Sequence, residues 1–392
     1  MTRETILAAA EARRELVTKL LCELIQLDTT NPPGNEKIVA EYVGRFCSER
    51  SISFDLFDPG DNRTSLVGRI GSGNSPCLFI PAHSDVVPAG EGWSVPPFSG
   101  TVKDGWVWGR GSTDNKGSLA GLLAAADYLK TVEGDFKGTL LLGAIADEEH
   151  GSTHGMEWLL KEKKVAADMA FVPDFSSNLQ AVEIAEKGLV NVKITFLGKQ
   201  AHSSTPEQGI SALNALAEMI VRTEKWLPAG SRRKHPLLTP TTCVATLSEA
   251  GIAHNIVPGK ATVVYNLRFL PGQTADGIAQ ELRGIAEKIA FKRGVRVAVE
   301  KTSELAPSEV KPDQPVTQAL LKGIEEITGK TPKLMGIGGA TLCKQLIWAG
   351  IPAIAFGPGD PSMAHMVDER IAIEELVQYT AVVISATMKA VG

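Results

Sequence analysis

Histidine and acidic residues in this 392-residue sequence recur directly after apolar segments. His83 and Asp85 follow the apolar residues 77–80, and side chains two residues apart on an extended segment point to one face. This spacing predicts a metal-binding histidine whose ring is oriented by the carboxylate of Asp85. The alternative is a histidine that only caps a loop.

Further carboxylates follow at two more segments. Asp114 lies in residues 109–117, Gly-Arg-Gly-Ser-Thr-Asp-Asn-Lys-Gly. This segment lacks the Gly-Lys-Ser/Thr of a phosphate-binding loop, and Asp114 occupies the third glycine position of the dinucleotide pattern, so it suits a cation instead. Glu148 and Glu149 come after the apolar residues 139–146. Acids at the end of a buried strand are costly unless a positive charge lies among them, the alternative being a solvated acidic turn.

Asp174 and His365 complete the candidate set, after predicted strands at 169–172 and 353–356. His365 alone is equally compatible with a surface loop. Taken together, imidazole and carboxylate groups form a mixed nitrogen and oxygen donor set, which suits zinc or a similar divalent ion better than magnesium. Asp114, Glu149, Asp174 and a bridging hydroxide would balance the charge of two divalent cations, which leaves Glu148 free to accept a proton.

The elements that must position these side chains alternate between strand and helix. Continuous apolar runs indicate strands buried on both faces of a mostly parallel sheet. Helices are predicted at residues 8–26, 37–50, 118–130, 316–328, 342–349 and 373–389, and the first two have a clear apolar face. The expected fold class is α/β, with a doubly wound, mostly parallel sheet.

A different pattern covers residues 187–302, where segment 189–197 alternates polar and apolar residues as in a sheet with one wet face. Strands and helices follow in the β-α-β-β-α-β order of a ferredoxin-like sandwich, predicted at 189–197, 210–224, 241–247, 261–269, 275–292 and 295–301. We therefore predict a discontinuous catalytic metal-binding domain, residues 1–186 and 303–392, interrupted by an inserted ferredoxin-like α+β domain.

Composition narrows the class of protein. Hydrophobic residues make up 43% and charged residues 22%, as in globular proteins, and no apolar run approaches the roughly 20 residues of a membrane span. The net charge is −5, and the densest basic cluster, Arg232, Arg233 and Lys234, is too small for a nucleic-acid footprint. The 5 cysteines form no Cys-x-x-Cys motif, and the N-terminus is no signal peptide. We expect a cytoplasmic protein with no membrane or nucleic-acid partner.

These motifs, in this order, resemble the family of dinuclear zinc hydrolases that contains aminoacylase, acetylornithine deacetylase, succinyl-diaminopimelate desuccinylase and carboxypeptidase G. The likeness spans essentially the whole chain and is carried by His83-Ser-Asp85, Gly111-Ser-Thr-Asp114-Asn-Lys-Gly117, Glu148-Glu149-His150-Gly151 and His365. It implies that His83 and Asp174 hold one metal, that Glu149 and His365 hold the other, and that Asp114 bridges them. Zinc is favoured, with cobalt and manganese as alternatives. A cis peptide bond at Asp114–Asn115 is also implied.

The resemblance assigns the inserted domain to a lid or to the interface of a homodimer. His202, in Gly198-Lys-Gln-Ala-His202-Ser-Ser, is similar to a family histidine that stabilises the oxyanion, often in the partner's site. Asn255 and Arg268 lie in segments that resemble binding elements for a substrate carboxylate. Gly339 and Thr341 are further substrate-binding candidates. The alternatives are a capping histidine, a turn asparagine and a solvated arginine.

The expected reaction is hydrolysis of the amide of an N-acyl amino acid or a small peptide, with Glu148 as general base. Two departures from the family pattern bear on the substrate. Asp174 stands where the deacetylase and desuccinylase branches commonly show Glu, and the glycine turn at residues 338–341 lacks a following Asp-Ala-Arg. An aminopeptidase, dipeptidase or carboxypeptidase on the same scaffold, and a non-catalytic metal-binding relative, stay open as alternatives.

Overall fold

The structure is a computed structural model that describes residues 1–73, 75–175, 177–226, 228 and 234–392. Arg232 and Arg233 of the basic cluster lie outside the described residues. The chain divides into two compact units, the first made of Met1–Ile184, Val310–Met335 and Ala340–Gly392, the second of Ala185–Glu309 and Gly336–Gly339.

Strands in the described part of the chain are short to medium in length. In chain order they are β1 (Ser53–Phe57), β2 (Ser65–Ile70), β3 (Cys77–His83), β4 (Thr101–Lys103), β5 (Trp106–Trp108), β6 (Thr139–Ile145), β7 (Met169–Val172), β8 (Ala181–Glu186), β9 (Gly188–Leu197), β10 (Thr242–Ala250), β11 (Lys260–Phe269), β12 (Arg296–Leu305), β13 (Ser308–Glu309), β14 (Lys333–Ile337), β15 (Ala353–Ala355) and β16 (Arg370–Ala372).

Helices alternate with these strands. They are α1 (Arg3–Glu11), α2 (Arg14–Gln26), α3 (Lys37–Glu49), α4 (Lys116–Thr131), α5 (Met156–Lys161), α6 (Ala212–Thr223), α7 (Ala275–Arg293), α8 (Pro315–Thr328), α9 (Cys343–Trp348) and α10 (Ile373–Val391). No helix among the described residues is long and apolar enough to cross a membrane.

The large sheet of the first unit has a parallel centre, in which β6, β3, β7 and β15 are neighbours. Antiparallel strands flank it, with β2 and β1 on one side and β8 on the other. Every residue of β3 and β6 is buried, as expected for strands covered on both faces. The predicted α/β class with a mostly parallel sheet is confirmed.

Helices cover both faces of this sheet. Phe79 and Leu141 pack with α5 and α9, whereas α4 and α10 also contact β3 and pack against each other. Gly121 permits the close approach of α4 to α10, because a Cβ there would lie 2.4 Å from Cδ1 of Tyr379.

The single helix predicted at 8–26 is wrong, since the chain forms α1 and α2 with a break at Arg13. The break allows α1 to pack on α10 while the Arg13 guanidinium pairs with Asp127 of α4 at 2.8 Å. The sequence pattern also missed β1, β2 and β8, and the small antiparallel sheet of β16, β5 and β4. The last three strands are too short to show a periodicity.

The second unit contains an antiparallel sheet in the order β10–β11–β9–β12, packed against α6 and α7. This is the ferredoxin-like arrangement. Alternate residues of β9 and β11, from Val190 to Phe196 and from Ala261 to Phe269, point into its apolar core. The unit extends beyond the predicted residues 187–302 because β12 continues to Leu305 and is followed by β13.

Candidate metal centre

The topology of the first unit brings the predicted metal-ligating segments to one edge of the sheet. The centre of the sheet is parallel, so the carboxyl ends of its strands lie together. His83 ends β3, and Glu148 and Glu149 follow β6. Asp174 follows β7, and Asp114 lies directly before α4.

Asp114 lies between the two histidines. Its Oδ1 atom is 2.9 Å from Nε2 of His83, and its Oδ2 atom is 3.2 Å from Nε2 of His365. The peptide bond between Asp114 and Asn115 is cis. Each carboxylate oxygen of Asp114 therefore faces a different histidine, which is the arrangement needed to bridge two cations.

Each histidine has a further carboxylate neighbour. His83 Nε2 is 3.6 Å from Oδ1 of Asp174, and His365 Nε2 is 3.1 Å from Oε1 of Glu149. Ligand atoms of His83, Asp114 and Glu149 lie within 4.8 Å of one another, and the same holds for His83, Glu148 and Asp174. This mixed set of imidazole and carboxylate donors fits two divalent cations of the zinc type.

Burial and mutual repulsion shift the acids in this cluster. Burial raises the pKa of Asp174 to about 6, although its hydrogen bond with His83 opposes the shift. Burial also raises the pKa of Glu148 well above its usual range, and the neighbouring Asp174 carboxylate adds to this shift. A proton on Asp174 thus competes with a cation for that carboxylate.

The pKa values of the two histidines are also raised. Hydrogen bonds to Asp114 and Glu149 raise the pKa of His365 to about 10. Burial lowers the pKa of His83, but its hydrogen bonds to Asp114, Asp174 and Asp85 outweigh this effect, and the net shift is strongly upward. Both rings therefore lie in a strongly negative environment, which attracts a cation as well as a proton.

Asp85 supports the turn that carries Glu148 and Glu149. Its carboxylate accepts hydrogen bonds from the backbone N–H of Glu148 at 3.1 Å and of Glu149 at 3.0 Å, and from Nδ2 of Asn31 at 2.8 Å. Nδ1 of His83 is nearer to the backbone carbonyl of Asp85, at 3.1 Å, than to its carboxylate, at 3.5 Å. The His83 ring is therefore oriented mainly by the Asp85 carbonyl and not by its carboxylate as predicted, because the carboxylate is turned toward residues 148 and 149.

A buried ionic network behind this turn was missed in the sequence. The Arg63 guanidinium donates to Glu36 and to Asp147, each at 2.7 Å, and Asn31 lies 3.2 Å from the same Asp147 oxygen. Two signals were available, the turn Asn-Pro-Pro-Gly-Asn that contains Asn31 and the run of three acids after residue 146 that begins with Asp147. Arg63 and Glu36 gave none, since such residues are usually exposed.

Four other predicted site residues belong to the second unit and form two pairs there. The segment of His202 is joined to that of Asn255 by a hydrogen bond from Ser203 N to the Asn255 carbonyl, 2.9 Å. Arg268 Nη1 donates to the carbonyl of Gly338 at 3.0 Å, beside Gly339.

Thr341 belongs to the first unit and is buried there. Its hydroxyl accepts a hydrogen bond from the backbone N–H of Cys343 at 3.1 Å, at the start of α9. This contact, from a threonine hydroxyl to the N–H two residues later, is typical of a turn closed by Ser or Thr.

Comparisons with known proteins identify what this chain is similar to. The family described as Peptidase family M20/M25/M40 matches residues 79–389. A succinyl-diaminopimelate desuccinylase of Beijerinckia indica subsp. indica is 33% identical, over 80% of this chain and 82% of that protein. The structure of aminopeptidase PepT from Bacillus cereus superimposes with a TM-score of 0.81 at 21% identity, over 96% of this chain and 98% of that one.

A second similar solved structure is described as that of a metal-binding protein. It is a Bacillus subtilis protein described as a dinuclear metal-binding peptidase of the M20 family, with a TM-score of 0.73 at 17% identity, over 97% of this chain and 100% of that one. The family match and the relative above 30% identity show that this chain belongs to peptidase family M20/M25/M40 and is a metal-dependent hydrolase of carbon–nitrogen bonds.

Proposed function

We propose that the protein releases an amino acid or a short peptide by hydrolysing an amide bond, with His83, Asp114, Glu149, Asp174 and His365 as ligands of two divalent cations. The observation that carries this proposal is the position of Asp114 between the two histidines, 2.9 Å from one and 3.2 Å from the other. Zinc is the favoured ion, with cobalt and manganese as alternatives. Bound cations would polarise the scissile carbonyl and acidify a water molecule.

Glu148 is the proposed general base. Its carboxylate lies within 4.8 Å of the ligand atoms of His83 and Asp174, and its backbone N–H is held by Asp85. Burial raises the pKa of Glu148, and a raised pKa makes a carboxylate a stronger proton acceptor. A Glu148 oxygen would take the proton of the attacking water and pass it to the nitrogen of the leaving amine.

Four residues of the second unit and Thr341 of the first unit are proposed to recognise the substrate. Arg268 would bind a substrate carboxylate, as guanidinium groups commonly do, and its hydrogen bond to Gly338 supports this by limiting the motion of its side chain. His202 would stabilise the oxyanion, in its own or in the partner subunit. Asn255, Gly339 and Thr341 are proposed as further contacts.

An N-acyl amino acid with a carboxylate is the favoured substrate, because the desuccinylase relative is 33% identical. A second candidate is a peptide with a free amino terminus, as for an aminopeptidase or dipeptidase. Asp174 favours this candidate, since the desuccinylase branch that this chain otherwise resembles commonly has Glu there. The two candidates differ in the acyl part of the substrate, which carries a free α-amino group in the peptide and none in the N-acyl amino acid.

We also propose that a second copy of this chain pairs along β10. Among the described residues β10 pairs with β11 on one side only, and it exposes Val244 by 54% and Leu247 by 67%. An exposed strand edge with apolar side chains is a ready site for pairing with another chain. This supports a homodimer formed through the second unit.

A substrate panel tests the proposed reaction. Purified protein, stripped of metal and then loaded with zinc, is incubated with N-succinyl and N-acetyl amino acids and with dipeptides, and the released amine is quantified. We expect zinc-dependent release from one of these classes, which would also identify the branch. Full zinc loading without release from any compound would contradict the proposed function and support the non-catalytic relative.

A further inference from the structure

Glu369 is a fully buried carboxylate that receives hydrogen bonds from the loop carrying Asp114. Its Oε1 atom accepts from the backbone N–H of Thr113 at 2.8 Å and of Asp114 at 3.0 Å. Its Oε2 atom accepts from the backbone N–H of Gly111 at 3.0 Å and from Nη1 of Arg110 at 2.7 Å. The carboxylate therefore fixes the backbone directly at Asp114 as well as earlier in its loop.

Arg110 extends this connection to two more loops. Its guanidinium is buried, and Trp93 packs against it at 5.2 Å from the ring centroid. Besides Glu369, the guanidinium donates to four backbone carbonyls, those of Met366 at 3.1 Å, Ala89 at 3.2 Å, His365 at 3.4 Å and Pro88 at 3.4 Å. Met366 and His365 itself belong to the His365 loop, and Pro88 and Ala89 belong to the segment after His83.

We infer that Arg110 and Glu369 are positioning residues that hold Asp114 and His365 in the mutual arrangement needed to bind the same pair of cations. The inference rests on the ligand set proposed above. Neither residue touches a reacting atom. Each acts through the backbone of a ligand-bearing loop, by hydrogen bonds that are strengthened by charge.

The chemistry of the pair predicts which substitutions fail. In Glu369→Gln the side chain keeps its shape, but its NH₂ group must face two donors in either orientation, Thr113 and Asp114 or Gly111 and Arg110. Arg110→Lys keeps the positive charge opposite Glu369, but an ammonium group cannot reproduce the planar fork that reaches several acceptors. Loss of partners that orient metal ligands typically lowers metal affinity by about 10–100-fold.

The test compares zinc affinity with stability. Metal-free wild type, Glu369→Gln and Arg110→Lys are titrated with zinc by calorimetry, and each metal-free protein is unfolded in urea. Asp127→Asn serves as the control, because Asp127 accepts from Arg50 at 2.6 Å in a partly buried ion pair that contacts no ligand loop. We expect zinc to bind about 10–100-fold more weakly to both test variants and with wild-type affinity to the control.

The outcomes separate this inference from the proposed function. Wild-type zinc affinity in Glu369→Gln, or in Arg110→Lys if Glu369→Gln does not fold, overturns the positioning role while leaving the ligand set intact. Weaker zinc binding in Asp127→Asn, by the same factor as in the test variants, would also overturn it, because the effect would then be a general one of stability. Absence of zinc binding by the wild type would refute the ligand set itself.

Discussion

Replacing Asp85 by Asn isolates the contribution of one buried carboxylate to catalysis. Asp85 is fully buried, and its nearest side-chain and backbone partners, Asn31 Nδ2 and the N–H groups of Glu148 and Glu149, all donate to it. An asparagine presents an NH₂ group in place of one oxygen. Whichever oxygen is replaced, at least one of these donors then faces another donor.

The geometry sets the size of the effect. If NH₂ replaces Oδ1, the N–H of Glu148 loses its acceptor, and if it replaces Oδ2, both Glu149 and Asn31 lose theirs. A hydrogen bond to a charged group contributes about 1.5–3 kcal/mol. The orientation that loses one bond is favoured, so we expect the free energy of unfolding to fall by about 1.5–3 kcal/mol. Because the freed N–H is that of Glu148, we also expect kcat to fall by about 10–100-fold.

The assay combines urea unfolding of the metal-free protein with kcat and KM at saturating zinc. Asp168→Ala is the control, since Asp168 Oδ2 accepts from the backbone N–H of Cys77 at 2.8 Å and from the Ser75 hydroxyl at 2.9 Å at the opposite end of β3. We expect that variant to lose stability and keep its kcat. Asp85→Asn with wild-type kcat, or a loss of kcat equal to that of Asp168→Ala, would refute the reasoning.

Four further variants or conditions test other parts of the account. Glu148→Gln is expected to bind zinc as the wild type does and to lose about 10²–10⁴-fold in kcat, and near-normal turnover would exclude it as the base. Leu247→Glu places a charge on the exposed face of β10 and should yield a monomer in analytical ultracentrifugation, provided that the wild type sediments as a dimer. Gly121→Ala should lower the free energy of unfolding by about 1–3 kcal/mol, because the added Cβ overlaps with Tyr379. Gly134→Ala is the control and should leave the free energy of unfolding unreduced, because its added Cβ meets no atom within 4 Å. Zinc at 100 times its Kd should raise the free energy of unfolding over that of the metal-free protein by about 2.7 kcal/mol for each ion bound, and an unchanged urea midpoint would contradict specific binding to the native state.

Much of the fold could be predicted from the sequence because its central strands are continuous apolar runs. The run at 139–146 became β6, and the one at 169–172 became β7 without change. Strands without such a pattern were missed. The predicted helix at 8–26 failed because a local periodicity contains no information on Asp127, the distant residue that pairs with Arg13 where the helix breaks.

The candidate ligands could be predicted because strand ends of a parallel sheet converge, so residues far apart in sequence meet at one edge. The residues behind them could not. Arginine and glutamate usually lie on the surface of a protein. Only the tertiary structure shows that Arg110 and Glu369 are both buried and hydrogen-bonded to each other. Sequence reasoning likewise assigned the Asp85 carboxylate to His83, whereas the backbone of residues 148 and 149 is closer to it.

The central claim is that Asp114 bridges two cations, and anomalous X-ray diffraction at the zinc edge tests it most directly. Crystals grown with zinc should show two anomalous peaks flanking Asp114, one beside His83 and Asp174 and the other beside Glu149 and His365. In crystals of Asp114→Ala, both peaks should be weaker than in the wild type. A single peak in the wild type, or two undiminished peaks in the variant, would contradict the bridging role.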